Sequence, residues 1–432
     1  MPDGQAPGLL VRLRGVLAGW RAPQHRDGLA LVLSSGLTSV IGLIYWVAAA
    51  RLFPPGVVGV NNTLISTMTL IAVSAQLNLG NALLRFVPVA GRSARRLVLT
   101  CYAVGAGAAA AAGGVFALGA GWWAPELQEA VGAAPLVLFF VLSTPVWTVF
   151  VVQDYVLTAV RRATVVPLEN LVFSLLKIGL LAVGALLAFG VAIAVSWMVA
   201  TALVVLAITA YLLRVLPAGG PQAASPVGPR AVARFASADW TGGLFTNAVE
   251  FGLPLLVLVT LGAEQAATFG VAWAIAYGLY LVSHGMGQSL VAHVAADPAA
   301  LDAARRGTVT RSLALIGPAA LVVVPGAGPI LSIFGPHYAA TGTALLALAA
   351  LAAVPNAVIT AALFGARVQQ RRAVLVGVPA VVAVLVIPPA LVLMPLLGLA
   401  GVGVALVAGQ SLVAAAILVG YGLSRPRVSP SA

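Results

Sequence analysis

The chain has 432 residues, of which 61% are hydrophobic and only 8% are charged. A soluble globular protein carries about 25% charged residues, so this composition excludes a soluble protein and predicts an integral membrane protein. The net charge of +12 does not indicate nucleic-acid binding, because the basic residues lie between hydrophobic segments, where membrane orientation explains them better.

Twelve apolar segments follow one another along the chain, and each is long enough to cross a bilayer as a helix of about 20 residues. The predicted spans are 28–50, 57–81, 98–120, 134–156, 167–189, 191–213, 240–262, 266–290, 311–333, 343–365, 373–395 and 397–421. The fold class predicted is therefore an all-α integral membrane protein with about twelve transmembrane helices.

The basic residues fix the expected orientation of these spans. Of the 23 Lys and Arg residues, all except Arg51 and Lys177 lie in the two tails or in every second connection. A miscounted span would have scrambled this alternation. The positive-inside rule then predicts an even number of spans with both termini in the cytoplasm.

The longest linker is rich in Pro and Gly and lies at the middle of the chain, which suggests two halves of six helices. At an offset of 211, Gly59-Val60 matches Gly270-Val271, and Gly190-Val191 matches Gly401-Val402. Both halves start on the same side, so the repeats are parallel, and transporters of this kind bind substrate between the halves. The domains expected are a cytoplasmic tail 1–27, an N-lobe 28–213, a cytoplasmic linker 214–239, a C-lobe 240–421 and a cytoplasmic tail 422–432.

Four stretches then show a family resemblance. They are "YWVAAARLFPPGVVGVNNTLISTM" across spans 1 and 2, "LNLGNALLRFVPVAGR" after span 2, "DYVLTAVRRATVVPLENLVFSLLKIGL" between spans 4 and 5, and "LLAFGVAIAVSW" between spans 5 and 6. Together they resemble bacterial polysaccharide (O-antigen) flippases of the Wzx type, in the superfamily that also holds MATE multidrug extruders and lipid II flippases.

The resemblance implies a MATE-like architecture of two lobes around a central cationic cavity. It implies an undecaprenyl-pyrophosphate-linked oligosaccharide as substrate, moved from the inner to the outer leaflet of the bacterial cytoplasmic membrane. A glycan polymerase and glycosyltransferases are candidate partners besides the bilayer, whereas no nucleic acid is expected.

Three basic residues are candidates for binding the pyrophosphate. Lys177 lies near the middle of span 5, where an ionisable group is costly and is a functional candidate by default. Arg85 closes span 2, and arginine binds phosphate through paired hydrogen bonds. Arg51 follows span 1 on the side that has few basic residues. The alternatives are that Lys177 is a structural partner of a helix carbonyl or carboxylate in the same lobe, and that the two arginines contact lipid headgroups.

Polar side chains follow one face of spans 2 and 8, which occupy equivalent positions in the two halves. This face includes Asn62 and Gln76 in span 2, and Tyr277, His284 and Gln288 in span 8. Such stripes suggest one shared cavity, in which aromatic rings would stack on the sugars of the substrate. Helix packing with polar contacts is the alternative interpretation.

Span 7 carries the candidate residues for ion coupling. Glu250 lies ten residues into the span, Asn247 precedes it by one turn, and Asp239 shares its face by helical spacing. A buried carboxylate of this kind could bind and release a proton during transport. The alternative is a fixed ion pair with Lys177.

Asp154 and Glu169 lie on either side of Arg161 and Arg162 in the connection between spans 4 and 5. Opposite charges so close in sequence favour local ion pairs.

Three other functions remain open, namely an ion-coupled MATE-type exporter of small cations, a major-facilitator-type transporter and a membrane scaffold. An acid usually accompanies the arginines in the 2–3 loop of major facilitators, and "VPVAGRSARR" has none. An enzyme is not expected, because no nucleophile–base cluster appears. No cofactor is expected, since the single lysine is followed by Ile178, which excludes a phosphate loop ending in Lys-Ser/Thr. No metal is expected either, because the four histidines are scattered and the chain has a single cysteine.

Overall fold

The computed structural model describes residues 41–187, 190–217, 229–294 and 301–423. The predicted tail 1–27 and the first part of span 1 lie outside these residues. Over the described ranges the chain is helical throughout and contains no strand.

Thirteen helices form the framework of the described chain. They are α1 over Ile41–Leu52, α2 Pro55–Ala75, α3 Leu79–Phe86, α4 Ala94–Leu118, α5 Ala133–Ala159, α6 Val165–Leu186, α7 Ala192–Val215, α8 Pro229–Leu261, α9 Ala263–Val294, α10 Leu301–Ser332, α11 Pro336–Val368, α12 Arg372–Leu397 and α13 Leu399–Leu423. Two short helices, Ala120–Trp123 and Pro125–Val131, connect α4 to α5.

Eleven helices are long and apolar enough to cross a membrane, and α1 adds a shorter apolar helix. They coincide in order with the twelve predicted segments. Large apolar side chains such as Leu118, Leu186 and Leu321 are more than 70% exposed on the outside of the bundle. A bilayer would cover such residues, whereas water would not favour them.

We name α1–α7 the N-lobe and α8–α13 the C-lobe. The lobes meet along a seam where α2 packs against α8 and α9. A Cβ on Gly59 would collide with the backbone of Ala263, and one on Gly270 would collide with the amide of Asn62. Small residues therefore bring the two helices close together, as is common where membrane helices pack.

Consecutive long helices run in opposite directions, so the connections collect at two ends of the bundle. The arginine-rich end holds Arg92, Arg161 and Arg371, and the opposite end holds Arg51 and Glu129.

Span 2 was predicted to continue to residue 81, but the helix is interrupted. Helix α2 ends at Ala75, Leu77 and Asn78 have left-handed backbone angles, and α3 begins at Leu79. The turn brings Gly80 against the ring of Tyr155, where a Cβ would lie only 2.6 Å from the ring. Tight packing on α5 therefore accompanies the break, which apolar composition alone could not indicate.

The linker predicted over 214–239 is shorter in the structure. Helix α7 continues to Val215, and α8 begins at Pro229 rather than at 240. Proline is favoured in the first turn of a helix because its missing N–H needs no partner there. The polar residues 229–239 therefore extend the helix beyond its apolar part, which is Trp240–Leu261.

Candidate functional site

The C-lobe carries a polar cluster centred on Glu250 of α8. The Tyr277 hydroxyl donates a hydrogen bond of 3.0 Å to Glu250 Oε2, and His284 Nε2 lies 3.8 Å from Glu250 Oε1. Trp273 Nε1 donates to the backbone carbonyl of Glu250 over 3.0 Å. Two side chains of α9 therefore contact the Glu250 carboxylate, and a third contacts the backbone of the same residue.

This cluster remains partly open to its surroundings. The side chain of Glu250 is 14% exposed and that of His284 is 35% exposed, while Gln288 is exposed one turn further along α9. Helix α9 is packed against α2, α8, α10 and α11, which belong to both lobes. His284 and Gln288 therefore form a partly exposed polar face on a helix that packs against both lobes.

Asn247 and Asp239 are the two other residues predicted to take part in ion coupling. Asn247 is half-buried one turn from Glu250 on α8. The side chain of Asp239 lies outside the described residues, although its backbone is helical. The structure therefore places Glu250 and Asn247 together and leaves Asp239 as a prediction.

Lys177 of α6 lies in an aromatic box. Its Nζ is 4.0 Å from the ring centroid of Trp197, 4.7 Å from that of Tyr45 and 4.8 Å from that of Phe173. Lys177 is only 4% exposed. Cation–π contacts are worth about 2 kcal/mol or more in desolvated settings, so three rings compensate part of the cost of burying the ammonium.

The box is fixed by hydrogen bonds on the far side of Tyr45. The Tyr45 hydroxyl donates to the carbonyl of Ile193 over 2.8 Å and lies 3.0 Å from Ser196 Oγ. The ring therefore cannot turn away from Lys177 without breaking these contacts. The three rings come from α1, α6 and α7.

Lys177 and Glu250 do not meet in this structure. The only salt bridge among the described side chains that involves Glu250 is the contact with His284, and no carboxylate there lies within 4.0 Å of Lys177. The N-lobe cation and the C-lobe carboxylate are instead held by separate groups in their own lobes.

Arg51 joins the lobes at the opposite end. Its Nε and Nη2 donate hydrogen bonds of 3.0 Å and 2.7 Å to the carbonyl of Ile333, and Nη2 also donates to that of Ser332 over 3.2 Å. Helix α10 ends at Ser332, where the helix dipole places partial negative charge. This contact links α1 of the N-lobe with the end of a C-lobe helix.

Arg85 is exposed near the end of α3 at the arginine-rich end, with its guanidinium 5.6 Å from the ring of Phe86. Asn81 Nδ2 donates to Asn78 Oδ1 over 2.6 Å at the start of this helix. Gln76 is half-buried in the break before it. These side chains share one end of α2–α3, whereas the Glu250 cluster lies on α8 and α9.

Asn62 lies in the lobe seam, 6% exposed, and its Nδ2 has no hydrogen-bond partner. Its neighbour Asn61 was not singled out from the sequence. Asn61 Nδ2 donates to the carbonyls of Val57 and Gly190 over 2.8 Å each, and Asn61 Oδ1 accepts from the N–H of Ala194 over 2.9 Å. Asn61 thus ties α2 to the α6–α7 connection.

The expected ion pairs at the α5–α6 connection are absent from the described structure. Neither Asp154 nor Glu169 has an arginine within 4.0 Å there. Glu169 is 2% exposed and accepts a hydrogen bond from Gln153 Nε2 instead. The backbone of Arg161 is left-handed in this turn, and Arg161 and Arg162 do not reach back to the carboxylates.

Groups of three or more His, Cys, Asp or Glu side chains that could hold a metal ion do not occur within the described ranges. Comparison of the sequence with protein families and with curated proteins finds no match.

Solved structures do match the fold. The inward-facing form of a multidrug resistance MATE family transporter of the MOP superfamily has a TM-score of 0.70 at 15% identity, covering 89% of this chain and 94% of that one. The lipid II flippase MurJ, in an inward closed conformation, has 0.63 at 12% identity, covering 92% and 88%. The MATE multidrug transporter DinF-BH, in complex with a ligand, has 0.63 at 15% identity, covering 98% and 99%.

These proteins are transporters and a flippase, and the similarity extends over nearly the whole of each chain. Structural similarity at sequence identities this low establishes the fold and leaves the substrate open. The predicted all-α, two-lobed architecture is confirmed, and the chain has the fold of MATE-type transporters of the MOP superfamily.

Proposed function

We propose that this protein is a flippase that moves an undecaprenyl-pyrophosphate-linked oligosaccharide from the inner to the outer leaflet by alternating access. The observation that carries the proposal is the placement of charge around the seam. Glu250, the carboxylate beside α9, is contacted by Tyr277 and His284, and Arg85 lies exposed on the N-lobe helix that continues α2, at the end of the bundle where arginines collect. This arrangement suits an anionic headgroup better than a small cation.

Arg85 is the residue we assign to headgroup entry. It lies on the short helix that follows the break in α2, at the end where arginines collect. A guanidinium can bind two phosphate oxygens at once. By the positive-inside rule we place the arginine-rich end in the cytoplasm, where lipid-linked substrates are assembled and where glycosyltransferases and a glycan polymerase would be partners.

Glu250 is the residue we assign to ion coupling, with Asn247 beside it. A carboxylate that is 14% exposed, next to a histidine that is 35% exposed, can bind a proton or a cation in one state and release it in another. Binding would change its bond with Tyr277, and hence the contact between α8 and α9. Gln288 would extend the path along α9.

A small-cation exporter is the second candidate. The specific observation in its favour is again Glu250, because cationic substrates need an accessible carboxylate. Multidrug transporters are also among the structural neighbours, and one of them was solved with a ligand bound.

Reconstituted vesicles can decide between the two. We would follow the movement of a fluorescent undecaprenyl-pyrophosphate glycan between leaflets, under a proton or a sodium gradient, and the efflux of a fluorescent organic cation in parallel. We expect glycan movement by the wild type and a loss of at least about tenfold in Arg85→Ala, which corresponds to about 1.4 kcal/mol of lost headgroup binding.

Matched controls keep the outcome specific. Arg92→Ala removes another exposed arginine of the same end, and Glu264→Gln removes an exposed carboxylate of the opposite end; neither should change glycan movement. Glu250→Gln should abolish its dependence on the gradient. Cation efflux without glycan movement would refute the flippase and establish the second candidate.

A further inference from the structure

Two basic side chains of the C-lobe pack against one aromatic ring. The ring is that of Phe364, near the end of α11 and 7% exposed. The His284 ring of α9 is perpendicular to it, with the centroids 6.3 Å apart, and the Arg367 guanidinium lies 4.8 Å from its centroid. A Cβ on Gly287 would collide with the same ring. Helices α9 and α11 are therefore held close together at this point, and Phe364 fixes where both basic groups lie.

His284 connects this ring with the carboxylate assigned to ion coupling. Its Nε2 lies 3.8 Å from Glu250 Oε1, and its side chain is 35% exposed. Arg367 is exposed as well, and so is Gln288, one turn beyond His284. A ligand can therefore reach both basic groups, and one of them already contacts Glu250.

The site faces the N-lobe at the arginine-rich end. Arg367 is near enough to Tyr155 of α5 for its charge to act on that residue. The Tyr155 ring lies against Gly80 of α3, the short helix that also carries Arg85. Arg367 is therefore the C-lobe counterpart of Arg85, and the two arginines approach the entrance from opposite lobes.

The helices around His284 give it a basic environment among the described side chains. Helix α8 contributes Glu250, α9 itself Tyr277 and Tyr280, α10 Arg305, which lies against Gly365, and α11 Arg367. Helix α2, from Pro55 to Ala75, has no titratable side chain. One carboxylate is thus accompanied by two guanidinium groups and an imidazole, a set that favours an anionic ligand over a cationic one.

The chemistry of these groups fits a phosphate. A guanidinium binds two phosphate oxygens at once, and an imidazolium can donate a hydrogen bond to a third. A negative charge beside an imidazole favours the protonated form. We propose that Arg367 and His284 bind a phosphate of the headgroup, and that binding draws one proton from solution onto His284. The proposal rests on the proposed flippase function, which supplies the pyrophosphate. The charged imidazole is then shared between the phosphate and Glu250, so that loading of the substrate acts directly on the coupling carboxylate.

Calorimetry on the purified full-length protein tests both parts. The probe is a short-chain isoprenyl pyrophosphate joined to one sugar, a diester that neither gains nor loses a proton near neutral pH. Titrations in two buffers with different enthalpies of ionisation give the number of protons taken up for each probe bound. We expect proton uptake by the wild type, and tighter binding at about pH 6 than at about pH 8, because histidine titrates in this range.

Three variants make the result specific to this site. Arg367→Ala should weaken binding about tenfold or more, as expected for the loss of hydrogen bonds between charged groups. His284→Gln cannot be protonated and should lose both the proton uptake and the pH dependence. Arg371→Ala removes an exposed arginine just beyond α11 and should keep the affinity and the uptake of the wild type. Thermal unfolding of each variant checks that it is folded.

The possible failures can be told apart. If the wild type does not bind the probe at all, the flippase is refuted and the phosphate site with it. If the wild type binds the probe without taking up protons, if His284→Gln still takes them up, or if Arg367→Ala binds normally, the flippase stands and the site is wrong. A short-chain phosphatidylglycerol that binds as tightly as the probe, with the same proton uptake, would assign the site to bilayer lipids and overturn its role in substrate binding.

Discussion

Replacing Arg51 with alanine should shift the protein away from the state in which the lobes touch at the opposite end. Arg51 donates three hydrogen bonds, of 2.7, 3.0 and 3.2 Å, to the last carbonyls of α10 and the residue after it. Hydrogen bonds to charged groups contribute about 1.5–3 kcal/mol each when well shielded. Because Arg51 is exposed, we assign about 2 kcal/mol to all three together, which corresponds to a roughly 30-fold change in the equilibrium between closed and open ends.

Distances between spin labels would measure this equilibrium. Labels at positions 118 and 396 lie on exposed residues near the same end of α4 and α12, one in each lobe, and the native Cys101 would first be changed to alanine. We expect Arg51→Ala to populate longer distances and Arg51→Lys, which retains charge but cannot make the paired contacts, to be intermediate. Unchanged distances in Arg51→Ala, with Arg92→Ala as the control at the other end, would refute the reasoning.

Three further predictions concern stability and close packing. Lys177→Met should raise Tm, because the cost of burying an ammonium without a carboxylate exceeds the cation–π contacts that it makes; a lower Tm would show that the rings outweigh desolvation. Gly59→Ala should reduce Tm and transport together, since its Cβ would meet the backbone of Ala263, whereas Gly56→Ala, which has open space around it, should leave both unchanged. Asn61→Ala should cost about 2–4 kcal/mol of unfolding free energy, because it removes three hydrogen bonds and leaves buried partners unpaired; chemical denaturation would measure the loss, and a cost below about 1 kcal/mol would contradict the assigned role.

The order and number of the spans were predictable because length and apolar composition determine them. Helix ends were less predictable. The end of α2 depends on the packing of Gly80 against Tyr155, and the start of α8 depends on polar residues that extend a helix beyond its apolar part. Neither effect is visible in a hydropathy pattern.

The candidate site was predictable in its residue types and less so in its contacts. Glu250 and Tyr277 were both singled out, but their hydrogen bond depends on how α8 and α9 are rotated. Helices that are apolar on every side have little amphipathic preference, so the sequence does not determine which face turns inward. For the same reason the box around Lys177, built from three helices, could not be foreseen, and the sequence also allowed an ion pair with Glu250.

The contact between α2 and α9 has a mechanical consequence. Gly59 and Gly270, which match each other in the proposed repeat, both lie in this seam, where each glycine lets the partner helix come close. Two helices packed this closely can act as a pivot, because rotation about their line of contact moves the contacting atoms very little while it moves the outer helices much further. The Arg51 contact lies at the end of the molecule where α2 and α9 both begin. The alternating access proposed above would therefore need no separation of the two lobes at this contact.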